Sequence, residues 1–326
     1  MESPVFVSGP PRLRHTIPNT ITMTRRRGRG GRFSEYWLPV PGGRARNRHR
    51  GPDERSGRRV SRGWPELKFQ SAPARLKPMG RFASTVEFYA RYREPYPAAF
   101  FQQVAGRIAL RGDESLLDIG CGPGLLALGF APFVARCTGL DPEPGMIEAA
   151  KASASEAGVA LSLIHGRIEE LPIAQTYHVI TIGRALHWLE RSTTLAVLER
   201  ILVHDSGRIL IGRASSMEET GTAWLKPYKR VHRDWASGPS EKHYRIDAVD
   251  WFAGSPFRAL GETSVIEQRQ VTIADLIGRA LSKSNTSPEV VGEGLARFEA
   301  EIGAMIAAGN LAREKAHQNV ECADPI

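Results

Sequence analysis

The sequence predicts a doubly wound, mostly parallel α/β sheet. Three observations carry this. Short apolar runs alternate with helix-period segments between Ser115 and Ile211. The first run, Leu116-Leu117-Asp118-Ile119, passes straight into Gly120-Cys121-Gly122-Pro123-Gly124 and then into Leu125–Phe130, a strand, a tight turn and a helix. A second acid, Asp141, ends the next apolar run, in Gly-Leu-Asp-Pro. Strands alternating with helices imply parallel strands with helices on both faces. A glycine turn between a strand and a helix, with an acid after the second strand, is the opening unit of a nucleotide-binding sheet.

Taken in order, Val86 to Tyr92 reads as a short aromatic helix. Pro97 suits the start of a second, whose apolar stripe is Phe100, Phe101, Val104, Ile108 and Leu110. Strand one is 115–119 and strand two runs from Cys137 to Leu140. Met146 to Ala157 is a helix closed by Gly158. Leu161 to Ile164 and Val179 to Ile182 are strands three and four. Thr193 to Leu202 is a helix, and Gly207 to Ile211 is strand five. Residues 215–256 are aromatic and basic and suit helices laid over the sheet edge. Val265 to Ile273 reads as strand six, followed by helices at Asp275 to Leu281 and Pro288 to Ala308.

The turn narrows the ligand. Its glycines follow a Gly-x-Gly-x-Gly spacing instead of the dinucleotide Gly-x-Gly-x-x-Gly, and Asp118 sits two residues before the first. An acid there repels a pyrophosphate and suits a ligand with a cationic amino group, such as the methionine part of S-adenosylmethionine. The stretch 116–124 with Asp141 resembles motif I of the class I S-adenosylmethionine-dependent methyltransferases, in particular the type 11 group. Thr181-Ile182-Gly183-Arg184-Ala185-Leu186-His187-Trp188 resembles the "Ala-x-His-Trp" signature of that group. Two departures stand out. The family usually shows Gly-Asp-Ala-Glu-x-Leu-Pro after strand three, whereas this chain has Gly166-Arg167-Ile168-Glu169-Glu170-Leu171-Pro172. The expected adenine acceptor is thus Arg167, which accepts no hydrogen bond. The family's final antiparallel strand also has no convincing apolar run in residues 309–326.

The resemblance implies a site. Gly120, Cys121, Gly122 and Gly124 admit the ribose and amino-acid parts of the cofactor to the backbone. Asp118 either contacts it through water and the turn amides or holds the turn. Asp141 is placed to accept from both ribose hydroxyls. Pro142 and Met146 flank the adenine, Met146 being equally suited to the core. At Arg167 and Ile168, either backbone groups near Ile168 replace the adenine contact or affinity is lower than typical, and Arg167 is otherwise a solvated surface charge. Gly183 and Arg184 face the transferable methyl. His187 is either a general base, having a pKa near neutrality, or a structural hydrogen-bonder, and Trp188 packs beneath the cofactor. Tyr89, Tyr92 and Tyr96 either offer aromatic faces to the sulfonium or pack between helices.

Charge is divided unevenly. Residues 1–78 hold 18 Lys+Arg against 5 Asp+Glu, and residues 79–326 hold 26 against 30. Three organisational units are therefore expected: a basic, disordered leader at 1–78, a cofactor-binding core at 79–214, and at 215–326 a helical cap with strand six and the C-terminal helices. The leader, with Arg25-Arg26-Arg27-Gly28-Arg29, is open to three readings: a nucleic-acid arm, an organelle presequence, or a segment without a role. Met79-Gly80-Arg81-Phe82 reads as a natural start for this family, so a chain beginning at Met79 is expected to keep fold and cofactor binding. Three cysteines (Cys121, Cys137, Cys322) lack metal spacing and suit a reducing, cytoplasmic setting. No apolar run reaches the roughly 18 residues of a membrane span.

Together these features predict methyl transfer from S-adenosylmethionine to a small-molecule acceptor, with no metal and no membrane partner. The absence of Asn-Pro-Pro-Tyr disfavours nucleobase and glutamine amino acceptors. A nicotinamide-dependent dehydrogenase and a non-catalytic nucleic-acid binder that uses the leader are the rivals.

Overall fold

In the computed structural model, the described residues are 12–25, 85–93, 95–212, 215–216, 224–237 and 246–305. All of them fall in one contact unit, Met1–Arg26 with Phe69–Ile326; the other, Arg27–Lys68, lies outside the described residues. The sheet is doubly wound, as the sequence predicts. Its strands are β1 (Arg12–Arg25), β2 (Ser115–Ile119), β3 (Arg136–Asp141), β4 (Leu161–His165), β5 (Val179–Gly183), β6 (Arg208–Gly212), β7 (Ser215–Ser216) and β8 (Phe257–Gln270). The order is β4-β3-β2-β5-β6-β1, with β7 and β8 also paired to β1. Strands β2 to β6 are mutually parallel. The order reverses between β2 and β5, which opens a crevice beyond their carboxyl ends.

Residue alternation divides the core into two layers. Leu117, Ile119, Ile180, Ile182, Ile209 and Ile211 face one way, onto Leu195, Leu198 and Ile201 of helix α5 (Arg191–Ile201). Leu116, Val179 and Leu210 face the other way, onto Phe100, Phe101 and Val104 of α2 (Ala98–Arg107) and Leu126 and Phe130 of α3 (Leu125–Phe130). The period of two along each strand explains this assignment. Asp118 and Thr181 occupy the second face, directly opposite each other in the β2–β5 register. The remaining early helices are α1 (Val86–Tyr92) and α4 (Pro144–Ala157), the latter closed by Gly158 in a left-handed C-cap.

The leader requires a correction. Arg12–Arg25 lie within the segment expected to be disordered, yet they form β1 inside the sheet. β1 pairs antiparallel with β6 through Ile21↔Ile211, Thr22↔Leu210 and Met23↔Ile209. On its other side it pairs with β8 from Arg12↔Gln270 to Arg25↔Phe257. This is the antiparallel place for which residues 309–326 offered no strand, and it is filled from the other end of the chain. The physical basis is the run Thr20-Ile21-Thr22-Met23-Thr24, with apolar and threonine residues alternating at high β-propensity. Met23 is buried among Ile209, Ile211 and their neighbours. Pro18 and Asn19 fall where the β1–β8 register slips, so the proline without an N–H sits at a bulge. The rest of the leader, including the arginines from Arg26 to Arg32, lies outside the described residues, as does 309–326.

Beyond β6 the helices are α6 (Leu225–Trp235), α7 (Ala248–Trp251), α8 (Ile273–Leu281) and α9 (Pro288–Val291). Strand six is β8, longer than expected. The helix expected at Pro288 to Ala308 is divided at Gly292, which has φ +57, and a further helix covers 295–305. Helices α6, α8 and α9 and the helix over 295–305 share a core that includes Trp224, Leu225, Tyr228, Leu276, Leu281 and Phe298, whereas Ala248 and Trp251 of α7 join the α5-side core. His232 is buried there beside Thr286, 2.9 Å from its hydroxyl, and burial pushes its pKa down to about 3, so it is neutral. Tyr92 packs on this layer, since a Cβ at Gly278 of α8 would collide with its ring.

Removing β1 strips the pairing edges of both β6 and β8. A chain beginning at Met79 is therefore expected to lose its cooperative thermal transition, and Met23→Ala in the full chain to lose about 2–5 kcal/mol in urea unfolding. An unchanged transition in the shortened chain would show that β1 is dispensable.

Candidate functional site

The crevice is built where β2 and β5 end. Ile119 passes into the turn, whose amides are tied back to the sheet: the N–H groups of Gly120 and Cys121 donate to the Leu140 carbonyl at 2.8 and 3.1 Å. Gly120, Gly122 and Gly124 all have φ between +54° and +87°, a region costly for other residues. They do different things. A Cβ at Gly120 would lie 2.6 Å from Ala185 Cβ, so this glycine lets the turn approach the chain after β5. A Cβ at Gly122 would meet only Tyr89 at 3.7 Å and Met146 at 4.0 Å, so it faces open space walled by those side chains.

Asp118 forms the base of the turn. Its Oδ1 accepts from the Thr181 hydroxyl at 2.6 Å and its Oδ2 from the Ala127 N–H at 3.3 Å. It therefore joins β2 to β5 and caps the first turn of α3, the turn-holding role left open by the sequence. It is 1% exposed. Burial pushes its pKa up to about 7, with Asp141 adding to the rise and the two hydrogen bonds opposing it.

Asp141, at the end of β3, accepts from the Gly122 N–H and the Glu143 N–H, each at 2.9 Å. It thus fixes the tip of the glycine turn against the start of α4. Burial raises its pKa, and the two amides and His165 hold it down. His165 Nε2 lies 3.1 Å from the Pro142 carbonyl.

One pocket collects Asp118, Gly120, Cys121, Gly183 and Arg184 of the expected residues. Tyr89 and Tyr96 join them, as do Pro123, Leu125 and Leu126. Arg184 has φ +59 and donates its N–H to the Gly212 carbonyl at 3.0 Å. Its guanidinium lies 4.9 Å from the centre of the Tyr96 ring. The Tyr96 ring is 7% exposed, and its hydroxyl has no hydrogen-bond partner among the described residues. Burial pushes that hydroxyl up to about 12, against the pull of Arg184.

The other expected residues stand apart from this pocket. Gly122 and Met146 bound the space beside Tyr89, and Asp141 reaches the turn through Gly122. Gly124 packs against Leu128. Ile168 is buried in the α5-side core, whereas Pro142 and Arg167 are exposed. His187 is half-buried, its ring tilted against Trp188 with ring centres 4.7 Å apart, and lies outside the pocket lining. Trp188 is 37% exposed. The thiols of Cys121 and Cys137 are buried and pushed upward, Cys137 to about 12, which leaves neither a nucleophile near neutral pH. No metal-type cluster occurs among the described residues.

Thr181 is the partner that sequence reasoning missed. A signal existed: it is the one polar residue in Val179-Ile180-Thr181-Ile182, as Asp118 is in Leu116-Leu117-Asp118-Ile119. Leu126, which fills the space a Cβ on Gly183 would need, carried no signal beyond its helix.

This geometry agrees with the comparisons. Residues 116–204 match the family model described as "Methyltransferase domain". The uncharacterized methyltransferase YcgJ of Bacillus subtilis is 35% identical over 104 residues, 31% of this chain and 41% of that protein. A ubiquinone biosynthesis O-methyltransferase of Serratia proteamaculans is 27% identical over 181 residues, 53% of this chain and 73% of that protein. The crystal structure of the Bacillus subtilis YcgJ protein aligns at 25% identity over 42% of this chain and 60% of that one, with a TM-score of 0.34. The chain spans 41%, 34% and 38% of the lengths of the first three curated relatives it matches. Over residues 116–204 the chain is thus similar to methyltransferase domains.

The raised pKa of Asp118 gives a pH signature. The ordinary carboxylate value lies near 4 and the native one near 7. Between these the native chain holds a proton that the unfolded chain has released. Stability therefore falls as pH rises from about 4 to about 7, by up to ~1.4 kcal/mol per unit, and is level above. Asp118→Asn should flatten this slope relative to the unaltered chain in urea midpoints measured from pH 4.5 to 8. Parallel profiles for the two proteins would place the charge elsewhere.

Proposed function

We propose that the chain transfers a methyl group from S-adenosylmethionine to a small-molecule acceptor at the crevice between β2 and β5. The observation that carries this reading is the tie from Asp141 to the Gly122 N–H, which sets an acid against the open glycine of the turn at the sheet's switch point. The donor set fits the cofactor. Asp118 beneath the turn suits a cation, and the Gly122 space leaves the backbone approachable. When bound, S-adenosylmethionine supplies an electrophilic methyl on a good leaving group.

The protein's own contribution is then mainly alignment and exclusion of water. Asp141 grips the ribose hydroxyls while keeping its two amides. Gly120 and Gly122 admit the sugar and amino-acid parts, and Met146 borders the adenine. The exposed position of Arg167 leaves the adenine contact to backbone near Ile168. Gly183 and Arg184 face the methyl, and Tyr96 covers them, its hydroxyl lying 3.0 Å from where a Cβ on Gly183 would sit. Holding donor and acceptor in line can supply roughly 7–11 kcal/mol of the barrier. His187 lies outside the lining and is not assigned as base. The type 11 grouping rests on Ala185-Leu186-His187-Trp188. The two described thiols, buried and unpaired, are compatible with a cytoplasmic setting. Among the described residues no helix is long and apolar enough to cross a membrane.

Calorimetry on the full chain tests the reading: S-adenosylmethionine binds and NADH does not. Asp141→Ala should raise the dissociation constant at least tenfold, about 1.4 kcal/mol. Gly122→Val, strained at φ +54 and filling the space beside Tyr89, should abolish binding. NADH binding without S-adenosylmethionine binding would assign the crevice to a dehydrogenase. Unaltered affinity in both variants, with circular dichroism confirming the fold, would remove the cofactor from this turn.

A further inference from the structure

The face of the sheet that carries Asp118 continues outward past the pocket. Asp118 is paired with Thr181 on β5 and with Gly139 on β3. Gly183 and Asp141, each two residues further on, therefore belong to the same face. Asp141 is paired in turn with His165, the last residue of β4. Gly183, Asp141 and His165 thus share one face at the carboxyl end of the sheet, and β4 is the edge strand beside β3. A sugar held by Asp141 leaves its base one strand spacing further out, about 4.8 Å, over the end of β4.

An adenine there presents its 6-amino group and ring nitrogens. A backbone N–H near Ile168 can donate to a ring nitrogen, but the amino group needs an acceptor. Arg167, at the position expected to supply one, has none. The carboxylates nearby are engaged: Asp141 by two amides, Glu170 by the Arg167 N–H and Glu169 by the Glu190 N–H. The main-chain carbonyls of Asp141, Arg167 and Ile168 already accept from Gly166, Glu170 and Leu171.

His165 differs from all of these. Its side chain is exposed, and its Nε2 lies 3.1 Å from the Pro142 carbonyl. A carbonyl only accepts, so Nε2 carries the hydrogen and, in the neutral ring, Nδ1 keeps its lone pair. Nδ1 has no hydrogen-bond partner among the described residues.

We propose that His165 reads the adenine of S-adenosylmethionine, Nδ1 accepting from the 6-amino group. This rests on the methyl-transfer reading above. The tautomer that makes the ring an acceptor is set by a main-chain carbonyl, and the ring replaces the acid that the chain lacks at Arg167.

Calorimetric titrations of the full chain at pH 8 test this by comparing S-adenosylhomocysteine with its analogue bearing hydrogen in place of the 6-amino group. The unaltered chain is expected to bind the amino ligand about tenfold more tightly. His165→Phe keeps an aromatic ring and removes the lone pair. It should weaken S-adenosylhomocysteine about tenfold and leave the analogue unchanged, so that the two deletions are not additive. His165→Gln, whose amide can donate to Pro142 and accept from the amino group, should recover part of the preference. Equal losses for both ligands in His165→Phe overturn the proposal by assigning the side chain to the shape of the strand end. An undiminished preference in that variant overturns it by placing the acceptor elsewhere. Tight S-adenosylhomocysteine binding with no preference for the amino group overturns this inference and leaves the methyl-transfer reading standing. If S-adenosylhomocysteine does not bind the unaltered chain, that reading itself fails and takes this inference with it.

Discussion

The carboxylate of Asp118 holds the mouth of the sheet together. It stands on β2 opposite Thr181 of β5, and the hydrogen bond between them links the two strands at the place where the order reverses. Its other oxygen takes an N–H from the first turn of α3. A buried acid of this kind is costly to desolvate, and the pKa near 7 records that cost. Two donors from two different elements offset it. An apolar side chain would leave both donors without their partner, and an amide would turn its NH2 toward one of them. The register of β2 on β5, the path of the glycine turn and the entry of α3 thus depend on one side chain.

Asp141 acts one strand further out. By accepting from Gly122 and Glu143 it joins the tip of the turn to the start of α4. The two acids together give the crevice a fixed floor and one fixed wall, and the aromatic residues of α1 and the segment before α2 supply the opposite wall. The glycines divide their labour in the same way. Gly120 is needed because Ala185 occupies the space of its missing side chain, whereas Gly122 is the position open to a ligand. A motif that reads as one unit in sequence is therefore part packing and part receptor.

The central strands, the turn and helices α1, α2, α4 and α5 were legible because their apolar spacing and punctuating glycines and prolines are local signals. Val86–Tyr92 and Ser115–Ile119 match the expected bounds. Leader strand β1 was not legible. Its alternation is short, Pro18 interrupts it, and the surrounding arginines and glycines dominate any compositional window. Its stability comes from partners far along the chain. Asp118, Gly120, Cys121, Gly183 and Arg184, singled out in the sequence, line one pocket. His187 lies outside that lining and Trp188 is 37% exposed, since a signature gives adjacency in sequence and not direction.

The origin of β1 has a consequence for how the molecule is made. Arg12–Arg25 precede every other described strand in the chain, yet their partners in β6 and β8 lie at the far end of the sheet's sequence. The parallel strands β2 to β6 can assemble as they emerge, with a vacant edge on β6. Pairing with β6 needs the chain out to residue 212, and pairing with β8 needs it out to residue 270. Contacts so distant in sequence raise the contact order of the sheet, so closing it with β1 is a slower step than pairing its parallel strands.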